Sequence, residues 1–249
     1  MVIELKSITT MIIDPTSLGL PYAHKRRQSP MADKKRLART IHLQLLKAFG
    51  TPQWTSLDGV SELVSTILSQ NTNDGNRDLA YVRLRARFID WEAARDASET
   101  SVVEAIRPAG LANKKGPRIQ AALRQISAER GELNIDFLKT LTMPDAKAWL
   151  TSINGVGPKT AAIVLLFTYG MPAFPVDTHV HRVTGRLGLR DDKDSAEKTH
   201  NIMETLCPTG AAATFHMNLI RLGREICHAR KPECSRCPLS VWCAFYKTT

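Results

Sequence analysis

The sequence lacks any apolar run near the roughly 20 residues that a membrane-spanning helix needs. Alternation of apolar and polar residues, which is typical of half-exposed β-strands, hardly occurs. Acidic residues are outnumbered by lysine and arginine, 24 against 34, and the formal net charge is +10. These shortages exclude an embedded membrane protein and argue against a β-fold. The basic excess favours a polyanionic partner, with nucleic acid as the first candidate and an anionic membrane surface as the second.

Apolar residues recur at helical spacing along most of the chain, and glycine and proline divide them into short segments. The first segment carries Leu37, Ile41 and Leu45 on one face and ends at Gly50. Further helices are predicted around residues 63–68, 77–88, 98–106, 115–130 and 146–153, with a polar loop at 69–76 and a flexible arm over 1–31. The fold class is therefore predicted to be all-α, and 43% hydrophobic residues suffice for one large or two modest cores.

A cysteine array near the C-terminus has the form C-x6-C-x2-C-x5-C and consists of Cys227, Cys234, Cys237 and Cys243. Thiolates this close together suit a tetrahedral zinc site or an iron–sulfur cluster. Two disulfides are the alternative. They are disfavoured because the sequence shows no secretory segment and has enough apolar residues for a core that needs no stapling. Cys207 lies outside the array in a helical pattern and is predicted to be a buried apolar residue.

A glycine-rich turn joins two predicted helices at Gly155, Val156 and Gly157, followed by Pro158 and Lys159. The glycines allow backbone conformations that are closed to other residues, and they let main-chain N–H groups approach a phosphate. Proline is well placed at the first position of the following helix, where its missing N–H costs nothing. A plain helix–helix turn with a solvated lysine would show the same pattern, so this motif alone does not establish phosphate binding.

A second turn, Phe174-Pro175-Val176-Asp177, precedes another stretch of helical spacing. Asp177 is predicted to cap that helix, because an aspartate at this position accepts N–H bonds from the first turn and is favoured by the helix dipole. Capping alone is the common role of such a residue. Its position eighteen residues after Lys159 becomes informative only together with the other motifs.

The glycine turn with its lysine, the Pro-Val-Asp turn and the cysteine array occur in the order and spacing of the endonuclease III family of DNA repair glycosylases, and the chain resembles that family from about Asp33 to Tyr246. The resemblance implies a two-domain helix–hairpin–helix architecture. It implies that Lys159 is the catalytic amine and Asp177 the catalytic carboxylate, and that the four cysteines of the array bind a [4Fe–4S] cluster. It also implies a bifunctional DNA glycosylase and AP lyase of base excision repair, with a preference for oxidised pyrimidines.

The resemblance further implies a discontinuous domain arrangement. A six-helix domain is expected over residues 51–170, and an iron–sulfur domain is expected from residues 32–50 joined with 171–249. The expected partner is double-stranded DNA that contains damaged bases or abasic sites, bound by a monomer without a membrane. An iron–sulfur cluster implies a reducing compartment, so the expected location is the cytoplasm, in association with the nucleoid.

A glycosylase must rotate its target nucleotide out of the duplex and fill the gap that is left. By resemblance, Leu111 is the leucine that enters the opposite strand, and either Gln70 or Asn71 is the amide that fills the gap. An ordinary loop leucine and a polar end of a helix are the plainer alternatives. The other candidate DNA-binding residues are those of the glycine turn, Gly155, Val156 and Gly157, together with His179, Arg182, Arg230 and Lys231.

Three positions depart from the family pattern: Asn154 stands where proline is common, Pro158 where a basic residue is frequent, and Ala112 where a tyrosine is frequent. The chemistry is therefore better supported than the choice of damaged base. Two other functions fit the residues. One is a monofunctional mismatch or damaged-base glycosylase that uses water as the nucleophile, and the other is a non-catalytic iron–sulfur protein that binds DNA.

Overall fold

The computed structural model describes residues 30–247, and this part of the chain is helical without strands. It contains the α-helices α1 (Pro30–Phe49), α2 (Gly59–Ser69), α3 (Asp74–Arg87), α4 (Trp91–Asp96), α5 (Glu99–Ala105), α6 (Ala112–Arg130), α7 (Met143–Ser152), α8 (Pro158–Phe167), α9 (Thr178–Arg186), α10 (Ala196–Leu206) and α11 (Ala212–Glu225). Short 3₁₀ turns occur at Arg107–Ala109, Asp136–Thr140, Cys234–Arg236 and Ser240–Trp242. The all-α prediction is confirmed. No helix within residues 30–247 is both long and apolar enough to cross a bilayer.

The predicted arm falls outside the described residues as far as position 29, whereas Pro30 and Met31 already belong to α1. The predicted polar loop at 69–76 was too long. The side chain of Asn73 accepts the backbone N–H of Asn76 at 2.8 Å, and this cap starts α3 at Asp74. The predicted cap of α5 by Ser98 is confirmed.

Two apolar cores hold the described residues together. The first is built from α2 to α8 and includes Leu63, Leu123 and Leu165, all fully buried. The second joins α1 to the helices after residue 173 and includes Ile41 and Phe215, also fully buried. Helix α1 therefore packs on α11, far along the chain. The domain limits at residues 50 and 170 stay predictions.

Candidate active site and cysteine centre

A cleft of about 1300 Å³ is lined by residues of both cores, and both Lys159 and Asp177 line it. Lys159 is the second residue of α8 and is half-buried. Asp177 directly precedes α9 and is also half-buried. Two short motifs that are separate in the sequence thus place an amine and a carboxylate in one cavity, each at the N-terminal end of a helix.

Asp177 caps α9 as predicted. Its Oδ1 accepts the backbone N–H of Val180 at 2.7 Å, and the backbone of Asp177 is extended. One carboxylate oxygen is therefore held by the helix, beside the partial positive charge of the helix N-terminus. The Asp177 side chain is thus fixed on the wall of the cleft.

Two buried histidines bond to the turn that immediately precedes Asp177, and the sequence analysis did not identify either of them. The Nδ1 of His200 lies 2.8 Å from the carbonyl oxygen of Phe174, and the Nδ1 of His216 lies 2.9 Å from that of Pro175. Because a carbonyl oxygen only accepts, each Nδ1–H is the donor. Burial lowers the pKa of each of these histidines to about 4, so both are neutral near pH 7. Their positions among apolar residues of α10 and α11 signal burial, but not their partners.

These histidines should make stability depend on pH. Their pKa values of about 4 in the folded state lie below the ordinary value of 6.5. The unfolded chain therefore binds more protons below pH 6.5, and the free energy of unfolding should fall by up to about 1.4 kcal/mol per pH unit for each histidine. Urea unfolding between pH 7 and pH 5 measures this slope. The His216→Gln variant should show a shallower slope, and an unchanged slope would contradict the assignment.

An ion pair connects helices of the two cores beside this cleft. The Nη1 of Arg224, in α11, lies 2.7 Å from Oδ2 of Asp74, at the start of α3. The hydrogen bond from Arg224 and the positive charges of Arg77 and Lys159 hold the pKa of Asp74 below its ordinary value. Both partners line the cleft. The two partners are 150 positions apart in the sequence, and no local pattern predicts their contact.

The glycine turn has the geometry of a backbone binding surface. Gly155 has φ of +84°, a conformation that favours glycine. Val156 is buried in the first core, and its N–H bonds to the carbonyl oxygen of Ile153 at 3.0 Å. A Cβ added at Gly157 would meet nothing within 4 Å, which leaves room for a phosphate at the first turn of α8. Contact of these three residues with DNA stays a prediction.

The two candidates for the gap-filling amide differ in their surroundings. The Gln70 side chain bonds to the carbonyl oxygen of Gly155 and to the guanidinium of Arg118, both at 3.4 Å. Asn71 is exposed, lines the cleft and has φ of +53°. The structure thus engages Gln70 with the glycine turn and leaves Asn71 facing the cavity. Leu111 is 51% exposed with φ of +51°.

The remaining predicted DNA contacts divide into two kinds. Arg182 donates to the carbonyl oxygens of Cys227 at 3.1 Å and Gly223 at 2.9 Å, so its guanidinium is engaged in the fold. His179 lines the cleft, with its Nδ1 3.1 Å from Arg182. Arg230 and Lys231, by contrast, are exposed on the loop between the first two cysteines of the array. Their contact with DNA stays a prediction.

The four cysteines of the array line one cavity next to the second core. Its other walls are largely apolar, formed by Val183, Leu187, Leu222, Ile226, Pro232 and Phe245 among others. Burial raises the pKa of the Cys237 and Cys243 thiols, and the other cysteines of the array raise these values further. Crowded thiols of high pKa become stable thiolates when they bind a cationic centre. The four sulfurs surround a shared space, and four cysteine thiols are a donor set that fits an iron–sulfur cluster.

Cys207 lies apart from the array, at the end of α10. It is half-buried, so it is less buried than predicted. Burial still raises the pKa of its thiol to about 12, which keeps it protonated near neutral pH.

Arg186 connects this cavity to α9, and the sequence analysis did not single it out. Its Nη1 lies 3.3 Å from the Cys227 sulfur and 2.7 Å from the carbonyl oxygen of His228. Its Nη2 donates to the carbonyl of Ala229 at 2.9 Å, and its guanidinium stacks 4.7 Å from the ring centre of Phe245. One planar cation therefore supports a cysteine sulfur and the loop that follows it.

The Arg186→Met variant should lose bound iron more easily than the wild type. Groups that hydrogen-bond metal ligands typically change metal affinity roughly 10- to 100-fold. Iron content and visible absorbance during incubation with a chelator measure the loss. Arg221→Met is the matched control, because Arg221 also stacks on a ring, that of Phe49, but lies outside the cysteine cavity. Equal iron loss in the two variants would contradict the role of Arg186.

Comparison with known proteins gives two family matches. Residues 64–209 match the HhH-GPD superfamily of base excision DNA repair proteins, and residues 227–243 match the iron–sulfur binding domain of endonuclease III. The second match covers the whole cysteine array. It supports an iron–sulfur cluster over zinc or disulfides and agrees with the predicted [4Fe–4S] cofactor.

Individual relatives extend this agreement. The chain is 34% identical over 218 residues to endonuclease III of Synechocystis, covering 86% of this chain and 94% of that protein. It is 38% identical over 150 residues to a candidate DNA glycosylase of Arabidopsis thaliana, covering 60% of this chain but only 50% of that protein. A solved structure of a trapped covalent intermediate between endonuclease III and DNA superimposes with a TM-score of 0.73 at 26% identity, over 86% of this chain and 97% of that one.

Proposed function

The chain belongs to the HhH-GPD superfamily of base excision DNA repair proteins, as an endonuclease III-like DNA glycosylase with an iron–sulfur cluster site, and from this premise we propose that it is bifunctional. It removes a damaged base and then cuts the strand at the resulting abasic site. The proposed substrate is an oxidised pyrimidine in double-stranded DNA, as the resemblance to endonuclease III implies. The proposed acting form is a monomer.

The observation that carries the proposal is the pair of Lys159 and Asp177 in one cleft. The lone pair of the Lys159 nitrogen attacks C1′ of the target nucleotide. The N-glycosidic bond breaks, and the base departs with the bonding electrons and takes up a proton. Positive charge develops on the sugar during this step, and the fixed carboxylate of Asp177 stabilises it. The similar structure that holds a covalent enzyme–DNA intermediate supports an attack of this kind.

The second half of the reaction follows from the covalent bond. Once the sugar ring opens, Lys159 and C1′ form a Schiff base, which acidifies the protons on C2′. Loss of one such proton and departure of the 3′ phosphate oxygen with its bonding electrons complete β-elimination and break the strand. Water then hydrolyses the Schiff base and frees the Lys159 amine. An alcohol or water nucleophile could not form this imine, so the lysine distinguishes a bifunctional from a monofunctional enzyme.

Recognition of DNA is assigned to three surfaces around the cleft. The glycine turn binds backbone phosphate through the N–H groups at the start of α8. Asn71 fills the space that the rotated nucleotide leaves, and Leu111 enters the opposite strand. Arg230 and Lys231 contact phosphates from the cysteine loop. Cys227, Cys234, Cys237 and Cys243 would hold the [4Fe–4S] cluster, which would fix the shape of this loop.

The experiment that tests the function compares products from a panel of duplexes. Each duplex carries one oxidised pyrimidine, one oxidised purine, one mismatch or one abasic site, and borohydride is added to part of each reaction. A bifunctional enzyme yields a cut strand and a covalent protein–DNA band. Base loss without cutting or trapping would indicate the monofunctional enzyme, and binding without either would indicate the non-catalytic protein. Faster release of an oxidised purine would overturn the proposed substrate.

A further inference from the structure

A lysine is buried at the start of α6. Lys115 is only 1% exposed, and its Nζ donates to the carbonyl oxygen of Leu68 at 2.7 Å and to that of Ala109 at 2.8 Å. Burial lowers the pKa of this amine. Charged and neutral amines both carry at least two N–H groups, so both bonds persist in either form. Removing such a group from water is costly, and a simple packing role would be filled better by an apolar residue.

One carbonyl belongs to the last turn of α2 and the other to the 3₁₀ turn Arg107–Ala109, and each lies just before a residue that is assigned to the DNA contact. Leu68 lies three residues before Asn71, and Ala109 lies two residues before Leu111. Asn71 and Leu111 are both exposed, and both adopt the left-handed backbone conformation, with φ of +53° and +51°. Residues other than glycine rarely adopt it, and such strain persists only where the surroundings hold it in place. Lys115 thus joins the backbone three residues before Asn71 to the backbone two residues before Leu111.

We propose that Lys115 is a positioning residue for nucleotide rotation, which holds the Asn71 and Leu111 loops at a fixed separation so that both side chains enter the duplex together. The inference rests on the proposed function, because it requires an enzyme that rotates its substrate out of DNA. Lys115 touches no reacting atom. It acts through the backbone of the two loops, and its loss should therefore affect the rotation more than the chemistry that follows.

The same helix offers a matched control in Gln120, which is also only 1% exposed. Its Nε2 donates to the carbonyl oxygens of Ala94, Arg95 and Ala97 at 3.1, 3.2 and 2.8 Å. These carbonyls belong to α4 and the residue after it, which carry none of the assigned DNA contacts. Replacement of either side chain by methionine preserves its approximate length and leaves backbone carbonyls without their donor. Only the Lys115 replacement releases the two loops.

The test compares the full chain with its Lys115→Met and Gln120→Met variants in two single-turnover assays. One measures excision of a base from a fully paired lesion duplex, and the other measures borohydride trapping at a preformed abasic site. Misplacement of the loops should slow excision by Lys115→Met about 100-fold. Trapping should fall much less, since rotation is easiest where no base must be unpaired. Gln120→Met should slow both reactions by the same factor. All assays are run below the lowest melting temperature of the three proteins.

Equal losses in the two assays for Lys115→Met would overturn the proposal, because they would indicate a general loss of structure. If this variant does not fold, Lys115→Gln takes its place. Its shorter amide can still donate to one carbonyl, and the same unequal losses are expected, whereas equal losses overturn the proposal. Failure of the wild type to excise any base would overturn the proposed function itself. If the wild type excises bases but the Lys115 variant behaves like Gln120→Met, only the role of Lys115 is overturned.

Discussion

Replacement of Lys159 by alanine is expected to abolish the covalent protein–DNA band at an abasic site and to slow strand cutting about 1000-fold or more, as loss of a nucleophile does in other enzymes. The folded state should not suffer. Lys159 lies in the first turn of α8, where the helix dipole disfavours a cation by about 0.3–1 kcal/mol. A lysine at an unfavourable position that faces a cleft is best explained by a chemical role.

Lys159→Arg separates that role from charge. Arginine keeps the positive charge for DNA binding but cannot provide a neutral amine near pH 7. The two variants should therefore be equally inactive in trapping, while Lys159→Arg binds abasic DNA close to wild-type strength. Lys35→Ala serves as a control, because Lys35 is an exposed lysine of α1 outside the cleft. A trapped band with Lys159→Ala would show that another amine forms the Schiff base.

Replacement of Asp177 by asparagine is expected to slow base excision about 100- to 1000-fold, as removal of a group that stabilises transition-state charge typically does. Asparagine caps helices about as well as aspartate, so the bond to the N–H of Val180 should survive and the melting temperature should change little. Asp177→Ala removes both roles and should also cost about 1 kcal/mol of stability. This pair of variants distinguishes a carboxylate that only caps α9 from one that also acts on the sugar.

The abasic-site assay refines this second prediction. At a preformed abasic site no glycosidic bond remains to break, so the charge of Asp177 should matter less for trapping than for excision. Single-turnover excision rates and trapping yields of the same preparations measure the difference. If Asp177→Asn excises bases at the wild-type rate, Asp177 acts only as a helix cap.

Local sequence patterns were enough to predict features that are formed by contiguous residues. The glycine turn, the cap at Asp177 and the cysteine array each occupy a short stretch, and periodicity indicated the all-α fold. Helix starts were less accurate. The capping side chain of Asn73 begins α3 three residues earlier than the apolar pattern suggested, because a cap acts through a polar group that periodicity ignores.

The hydrogen bonds and the ion pair that hold the site in place could not be predicted from local patterns, because they join residues that are distant in the sequence. His216 contacts a carbonyl 41 positions earlier, Lys115 one 47 positions earlier, and Arg224 an aspartate 150 positions earlier. A single sequence carries no record of which residues meet in space. The choice between Gln70 and Asn71 also stayed open, since both are amides. The structure distinguishes them, because Gln70 bonds to Gly155 and Arg118 whereas Asn71 faces the cleft.

The packing of α1 on α11 has a consequence for how the chain folds during synthesis. Residues 60–173 form the first core without any contribution from α1, so this core can form while the rest is still being made. Helix α1, although synthesised earlier, must keep Ile41 and Leu45 exposed until Phe215 and Leu219 emerge. The second core and its cysteine cavity therefore form after the first core, once the residues up to Cys243 have been synthesised. Until then, the apolar face of α1 is open to aggregation or to chaperones.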